Sequence, residues 1–386
     1  MRQFTAILVT AAVLLAGVAP AAGAAGAAGT AAGAAPAGTD APLQQSGGAA
    51  QCSFPFTATD ATGTEVTVEE KPERVTTLAP SAAQTMWEIG GKSQVVGVSR
   101  HATYLDGAES RTNVSAGFSV SVEAVVGTNP DLVLAPNVIP TDTVTALRNA
   151  GLKVFYMSAA TSVADVRNKT TLIGRLTGNC RGAAEANAWM TANVDAAAQA
   201  TADVEPVRAL YPLGGGYVAN TGTFISAMMR ASGAENVVAE ANVSKLYPQL
   251  SSEVILQLQP DWLVLSSGSS YLLSQEPYAS TPAVQNNNTV TVNANYLNQP
   301  APRSVVMAVR TMTKAFHPEA AASAEFETRA EVEASMSTPT PEPTTAASTT
   351  ATTDSPAEST ATTGAGFGFA VAALSVAVAA LLARRR

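Results

Sequence analysis

The chain has 386 residues, room for two domains plus tails, and a formal net charge of −8. That acidic balance excludes nucleic acid as a partner, since neutralising phosphates takes clustered Lys and Arg. Two His and two Cys in the whole chain give no metal-ligand spacing.

From the N-terminus, an early Arg precedes the apolar run Phe4 to Val18 and a tract of small residues. This reads as a secretory signal over residues 1–28, too short to span a membrane, followed by a low-complexity linker over 29–51. An N-terminal lobe is expected over 52–180. Within it "RVTTLAP", "QVVGVS", "DLVLAPN" and "KVFYMS" read as strands, and "SAAQTMWEIGG", "SVEAVVGTNP" and "TDTVTALRNAG" as helices. Continuous apolar strands alternating with helices imply a parallel sheet covered on both faces. The Ala-rich stretch after Cys180 has no strand candidate and no internal Pro until Pro206. It predicts one long helix within 181–205, about 35 Å if it runs from Gly182 to Val204.

A second lobe over 206–332 restarts the pattern. Its strands are "RALYPLGGG", the end of "TFISAMMRASGAENVV" after its Gly stop, "DWLVLSSG" and "TVTVN"; its helices begin at "TFISAMMRASG", "SSEVILQLQP", the weak "STPAVQNN" and the amphipathic "PRSVVMAVRTMTKAF". The fold class is therefore α/β, with two Rossmann-like lobes joined by a single long rigid α-helix. Residues 333–364, rich in Thr, Pro and Ser, read as an extended stalk. The 19 uncharged residues Ala365 to Ala383, before three terminal Arg, predict a transmembrane anchor over 365–386. In an oxidising compartment Cys52 and Cys180 would close most of the first lobe as one loop, for about 4 to 5 kcal/mol in the chain-entropy model. N-glycosylation triplets stand at Asn113, Asn168, Asn242 and Asn287.

One phrase occurs twice. "SVEAVVGTNPDLVLA" and "SSEVILQLQPDWLVL" share Glu123 and Glu253, Pro130 and Pro260, Asp131 and Asp261, each pair 130 positions apart. Together with "DATGTEVTVEEKPERVTTLAPSAAQTMWEIGG", these segments resemble the extracytoplasmic substrate-binding proteins that serve ABC importers of cobalamin, ferric siderophores and haem. The resemblance covers about Phe56 to Phe316. It implies the helical-backbone periplasmic-binding-protein fold, a ligand in the cleft between the lobes, little hinge motion, and a permease dimer with ATPase subunits as partner. "YPQLSSEVI" and "ANYLNQPAPRSVVMAVRTM" resemble the cobalamin-binding branch, which places Tyr247 and Arg303 near the ligand. In the family, acidic residues at the positions of Glu123 and Glu253 dock the importer; the plainer role of each is to complement a helix N-terminus. The C-terminal region resembles archaeal surface sorting signals, with Ala365-Gly366-Phe367 where Pro-Gly-Phe is usual, so the membrane attachment is expected through the helix or a lipid that replaces it.

In open α/β sheets, ligands sit beyond the carboxyl ends of the strands. Those ends carry Pro80, Ser81, Tyr104, Asn137 and Tyr217; with Phe118, Asn220 and Thr221, and with Tyr247 and Arg303 as the resemblance implies, they make the expected ligand-binding set. Aromatics would supply area and the polar groups a few hydrogen bonds. Only Arg100 and Arg303 offer cations there, which suits a large, nearly neutral, amide-fringed chelate such as cobalamin better than an anionic siderophore. His101 near the cleft mouth reads as a solvated loop residue. "PLGGGYVANTG" lacks the Lys and Gly spacing of a phosphate loop. The chain has no nucleophile elbow, Cys–His pair or metal motif, so no enzyme is expected and no cofactor beyond the transported ligand. Ferric siderophore or haem binding is the alternative, and a surface structural or adhesion role the alternative of another class.

Overall fold

A computed structural model of the chain describes residues 52–337. The expected signal, linker and anchor, and all of the stalk beyond residue 337, lie outside them. In the first lobe β1 (Phe56–Thr59) and β2 (Glu65–Val68) pair as an antiparallel hairpin. There follow β3 (Val75–Thr77), α1 (Pro80–Glu88), β4 (Val95–Val98), β5 (Thr112–Asn113), the hairpin of β6 (Ser115–Ala116) and β7 (Ser119–Val120), α2 (Val122–Gly127), β8 (Leu132–Pro136), α3 (Thr141–Asn149), β9 (Val154–Met157) and α4 (Val163–Thr177). The bridging helix is α5 (Cys180–Ala200). The second lobe holds β10 (Val207–Leu210), the hairpin of β11 (Pro212–Gly214) and β12 (Tyr217–Val218), α6 (Phe224–Ala231), β13 (Ala234–Asn236), α7 (Ser252–Gln257), β14 (Trp262–Ser266), α8 (Pro282–Gln285), β15 (Thr289–Val292), α9 (Ala294–Leu297), α10 (Pro302–Phe316) and α11 (Pro318–Ser323).

The first sheet runs β5-β4-β3-β8-β9 and the second β13-β10-β14-β15, and every pairing in both is parallel. Apart from the edge strand β5, both lobes have the order second, first, third, fourth. All five residues of β8 are buried, as expected where helices cover both faces of a parallel sheet.

The repeated phrase is, in part, a joint. Ser121 and Ser251 cap α2 and α7, accepting hydrogen bonds from the amides of Ala124 and Val254. Two residues past the end of each short helix stands a residue with φ of +43°, Asn129 or Gln259, directly before the Pro. Arg74 and Arg208, at the starts of the first strands, then clasp those ends: Arg74 Nη2 donates to Thr128 O at 2.6 Å and Arg208 Nη2 to Leu258 O at 2.8 Å. The amides of Asp131 and Asp261 return bonds to the carbonyls of Arg74 and Arg208, at 2.8 and 2.9 Å.

Helix α5 has 21 residues, about 32 Å at 1.5 Å per residue, and packs along α4 and α10. It starts one residue before the expected span and stops five before it, a correction at its C-terminal end. Pro206 biases Glu205 toward extended backbone, and β10 begins at Val207. Gly182 lets α5 cross the end of α1: a Cβ there would sit 2.1 Å from Ile89 O. Cys52 and Cys180 form a disulfide, tying the start of the lobe to the first residue of α5. A second unit begins at Glu327. Taken by itself, it carries α12 (Arg329–Ser337), whose first turn is held by Glu331 accepting from Thr328 N at 2.6 Å. The stalk expected from residue 333 therefore begins inside a helix. Ala, Glu and Met in "RAEVEASMS" favour helix, and the Pro- and Thr-rich composition starts only after it. Among the described residues no helix is long and apolar enough to cross a membrane.

Candidate ligand-binding site between the lobes

The carboxyl ends of β8 and β9 in one lobe, and of β10 and β15 in the other, lead into loops that face a common cavity of about 370 Å³. The first lobe contributes Asn137, Val138, Ala159, Ala160 and Thr161; the second contributes Leu213, Thr223, Phe224, Ile225, Leu246, Tyr247, Asn298 and Pro300. The wall is mostly apolar, and several of its side chains are open to solvent: Val138 is 71% exposed, and Leu213, Leu246 and Tyr247 lie between 43% and 46%. Apolar groups left exposed around a concavity mark a binding surface.

The loop carrying Leu246 and Tyr247 is held against β12. Asn220 N donates to Leu246 O at 2.9 Å, Val218 N to Pro248 O at 3.1 Å, and Leu250 N to Gly216 O at 2.9 Å. Gly216, at φ +80°, permits this approach, since a Cβ would stand 2.6 Å from Leu250 O. The Gly-rich stretch therefore folds as a hairpin that brings backbone close to the cavity loop. Asn220 is consumed in the same support: its Nδ2 donates to the carbonyls of Val243 and Lys245, and its Oδ1 accepts from Thr221 N at 2.7 Å.

Of the expected ligand-binding residues, the cavity brings together Asn137 and Tyr247. Burial pushes the Tyr247 phenol up. Pro80 opens α1, and Ser81 is buried one residue on. Tyr104 is half-buried; its hydroxyl accepts from Gln84 Nε2 at 2.7 Å, and burial pushes the phenol up to about 12. Phe118 is at the tip of the β6–β7 hairpin, 97% exposed, with the Arg100 guanidinium 4.8 Å from its ring centroid. Tyr217 is exposed on β12 and Thr221 exposed in the following loop. Arg303, at the start of α10, pairs with Glu88 of α1 at 2.5 Å, so it joins the two lobes.

Gln84 makes the same link with neutral groups. Its Oε1 accepts from Ser304 N at 3.0 Å and Ser304 Oγ at 2.9 Å, while its Nε2 donates to Tyr104. Residue-type reasoning missed this buckle, because a Gln in the middle of an apolar helix gives no sign of what it faces. It also missed Val138, Leu213, Leu246 and Asn298. Val138 and Leu246, apolar residues inside polar turns, were the available signal. Glu123 and Glu253 are exposed in the first turns of α2 and α7. Among the described residues no group of three or more His, Cys, Asp or Glu is placed to hold a metal ion.

Two parallel α/β lobes, a helical bridge and an apolar cleft between strand ends define a two-lobed binding protein. The family model for periplasmic binding protein matches residues 75–296, and the chain belongs to that family. It is 46% identical over 288 residues to a cobalamin-binding protein of Halobacterium salinarum, covering 72% of this chain and 78% of that one. It is 25% identical over 244 residues to a vitamin B12-binding protein of Vibrio parahaemolyticus, covering 61% of this chain and 86% of that one. Among solved structures, the apo periplasmic heme-binding protein RhuT from Roseiflexus sp. RS-1 aligns with a TM-score of 0.59 at 25% identity, over 64% of this chain and 99% of that one. The fold is also that of the vitamin B12 binding protein BtuF of Vibrio cholerae, with a TM-score of 0.56 at 23% identity, over 65% and 98% of the two chains.

Proposed function

We propose that this protein is the substrate-binding component of an ABC importer that captures cobalamin in the interlobe cavity and delivers it to a permease dimer. The observation that carries the reading is the 46% identity, over most of both chains, to a protein named for cobalamin binding. The site's chemistry agrees with a large ligand of low charge. The cavity is walled by apolar side chains and amides, with no Lys or Arg among its lining residues, and Arg303 is paired with Glu88. A haem or ferric siderophore presents carboxylates or catecholates that call for free cations. The likeness to a heme-binding structure at 25% identity keeps haem as the second reading. On this view Glu123 and Glu253 meet the permease, and the protein is exported and held at the outer face of the membrane by residues 365–386 or by a lipid. Its sequons carry glycan on the same view.

Titration of the purified protein with cyanocobalamin, hemin and a ferric siderophore, followed by tryptophan fluorescence, separates the readings. Saturable binding of cyanocobalamin at least about tenfold tighter than of the other two, some 1.4 kcal/mol, is expected. A preference for hemin would overturn the cobalamin assignment.

A further inference from the structure

Four polar side chains line the cavity besides Tyr247: Asn137, Thr161, Thr223 and Asn298. Two are committed elsewhere. Thr161 Oγ1 donates to Asp165 at 3.0 Å, and Thr223 Oγ1 donates to Asn220 O at 2.7 Å while accepting from Ser226 N. Asn298 differs. Its Oδ1 accepts from Tyr211 Oη at 3.1 Å, and Tyr211 is only 3% exposed. Tyr211 lies beside Ser266, whose Oγ shares a hydrogen bond with Ser269 Oγ at 3.0 Å. A phenol has one proton to give. Given to Asn298, it fixes which end of the amide faces the protein. The backbone is fixed as well: Asn298 closes α9, its amide donating to Ala294 O at 3.2 Å, and Pro300 stands two residues on.

With Oδ1 held by a buried partner, the two Nδ2 hydrogens are the part of Asn298 left for a ligand. We propose that Asn298 is a specificity-determining ligand contact, a pre-oriented donor for a carbonyl oxygen on the ligand's rim, with Tyr211 as its positioning residue. The class of ligand it selects is an uncharged one edged with carboxamides, whose carbonyls accept without bringing a negative charge into an apolar wall. This deepens the cobalamin reading and rests on it. A donor held by a second, buried hydrogen bond gives more discrimination than a free one, because little ordering remains to be done on binding.

The test is calorimetric titration of the full chain with cyanocobalamin. Asn298→Ala is expected to bind about tenfold more weakly, while losing only the small stability cost of the unpaired Tyr211 hydroxyl, so that it stays folded under the titration conditions. Asn298→Asp puts an acceptor where the donor was. Its affinity is expected to fall at least as far at pH 7 and to recover as pH drops toward 4, where the protonated carboxyl donates again; the unsubstituted protein shows no such recovery. Tyr211→Phe is expected to cost a few-fold, and to cost nothing further in the Asn298→Ala background, an outcome a general loosening of the core would not give. Unchanged affinity in Asn298→Ala, or no pH response in Asn298→Asp, overturns the assignment while cobalamin binding stands. If the unsubstituted protein binds no cyanocobalamin, the functional reading falls and takes this assignment with it.

Discussion

Lys169 is 8% exposed on α4, and its Nζ has no hydrogen-bond partner among the described residues. Burial pushes its amine down to about 8, against a smaller opposing pull from Asp165. A separate cavity of about 290 Å³ in the first lobe is lined by Lys169, Asp165 and Asp60, and Asp60 is spoken for by Arg148. The unfolded chain keeps the ordinary lysine value, so between pH 8 and 10.5 it binds more protons than the native state, and stability rises with pH across that window. Below pH 8 the full penalty is present, roughly 3 kcal/mol for a shift of this size. Lys169→Met should therefore stabilise the protein at pH 7 by about 2 kcal/mol and flatten the rise toward pH 10.5, both read by denaturant unfolding across pH. A destabilised variant, or an unchanged pH slope, would show that the ammonium is better solvated than its surroundings suggest. Nothing in "RNKTTL" announces this burial. A Lys in a polar helix reads as surface, and only the approach of β1 and β9 reverses that. Tyr247 was legible only through the resemblance of "YPQLSSEVI" to a branch of the family in which an aromatic precedes the Pro-Gln pair. Asn220 was misleading, since an Asn in a loop looks available while its amide is spent on the backbone.

At the scale of elements, the strands and most helices were readable because each is an apolar run closed by Gly, Pro or Asn. Helix α4 was not singled out, although Ser162 and Asp165 form a capping box, with Asp165 Oδ2 accepting from Ser162 N at 3.0 Å and Ser162 Oγ accepting in return at 3.1 Å. Its polar, Thr-bearing sequence hides the buried face of Val166, Thr170, Ile173 and Thr177, whose threonines satisfy themselves on backbone carbonyls one turn back. The bridging helix was legible from its Ala content, but the way it packs was not. Gly182 is the contact that decides it, because the obstructing atom at 2.1 Å is a backbone carbonyl, not a side chain that can rotate away. Gly182→Ala gains about 1 kcal/mol in helix propensity, yet must shift α5 against α1. Net destabilisation of about 1–3 kcal/mol, measured by chemical unfolding, is the expected outcome, whereas a propensity-only view expects a more stable protein. The lobes are further tied through α1 by Gln84 to Ser304 and by Glu88 to Arg303, so a shift at Gly182 should also reach the cleft.

For the molecule as a whole, the duplicated phrase carries two separable messages. Pro and Asp, with Arg74 and Arg208, build the same joint in each lobe, and repetition of a joint needs no partner to explain it. Glu123 and Glu253 are outside that joint. They are exposed, they sit two residues past a capping Ser, and each repeats the other's place on a helix of its own lobe. A helix N-terminus stabilises one carboxylate by about 0.3–1 kcal/mol, a reason that applies to each lobe alone and makes no demand on both together. A permease with two subunits does make that demand, because a rigid two-lobed body can present matched charges to matched pockets. The two accounts diverge under charge reversal. Glu123→Arg with Glu253→Arg should leave cyanocobalamin affinity within about twofold, since neither residue lines the cavity, and should lower stability by no more than about 2 kcal/mol from the lost dipole interactions. Uptake of labelled cobalamin by cells carrying only the doubly reversed protein should nevertheless be lost, and each single reversal should fall between. Uptake at the unsubstituted level would leave the helix-dipole role as the whole meaning of both residues, and the docking face would have to be sought elsewhere on the lobes.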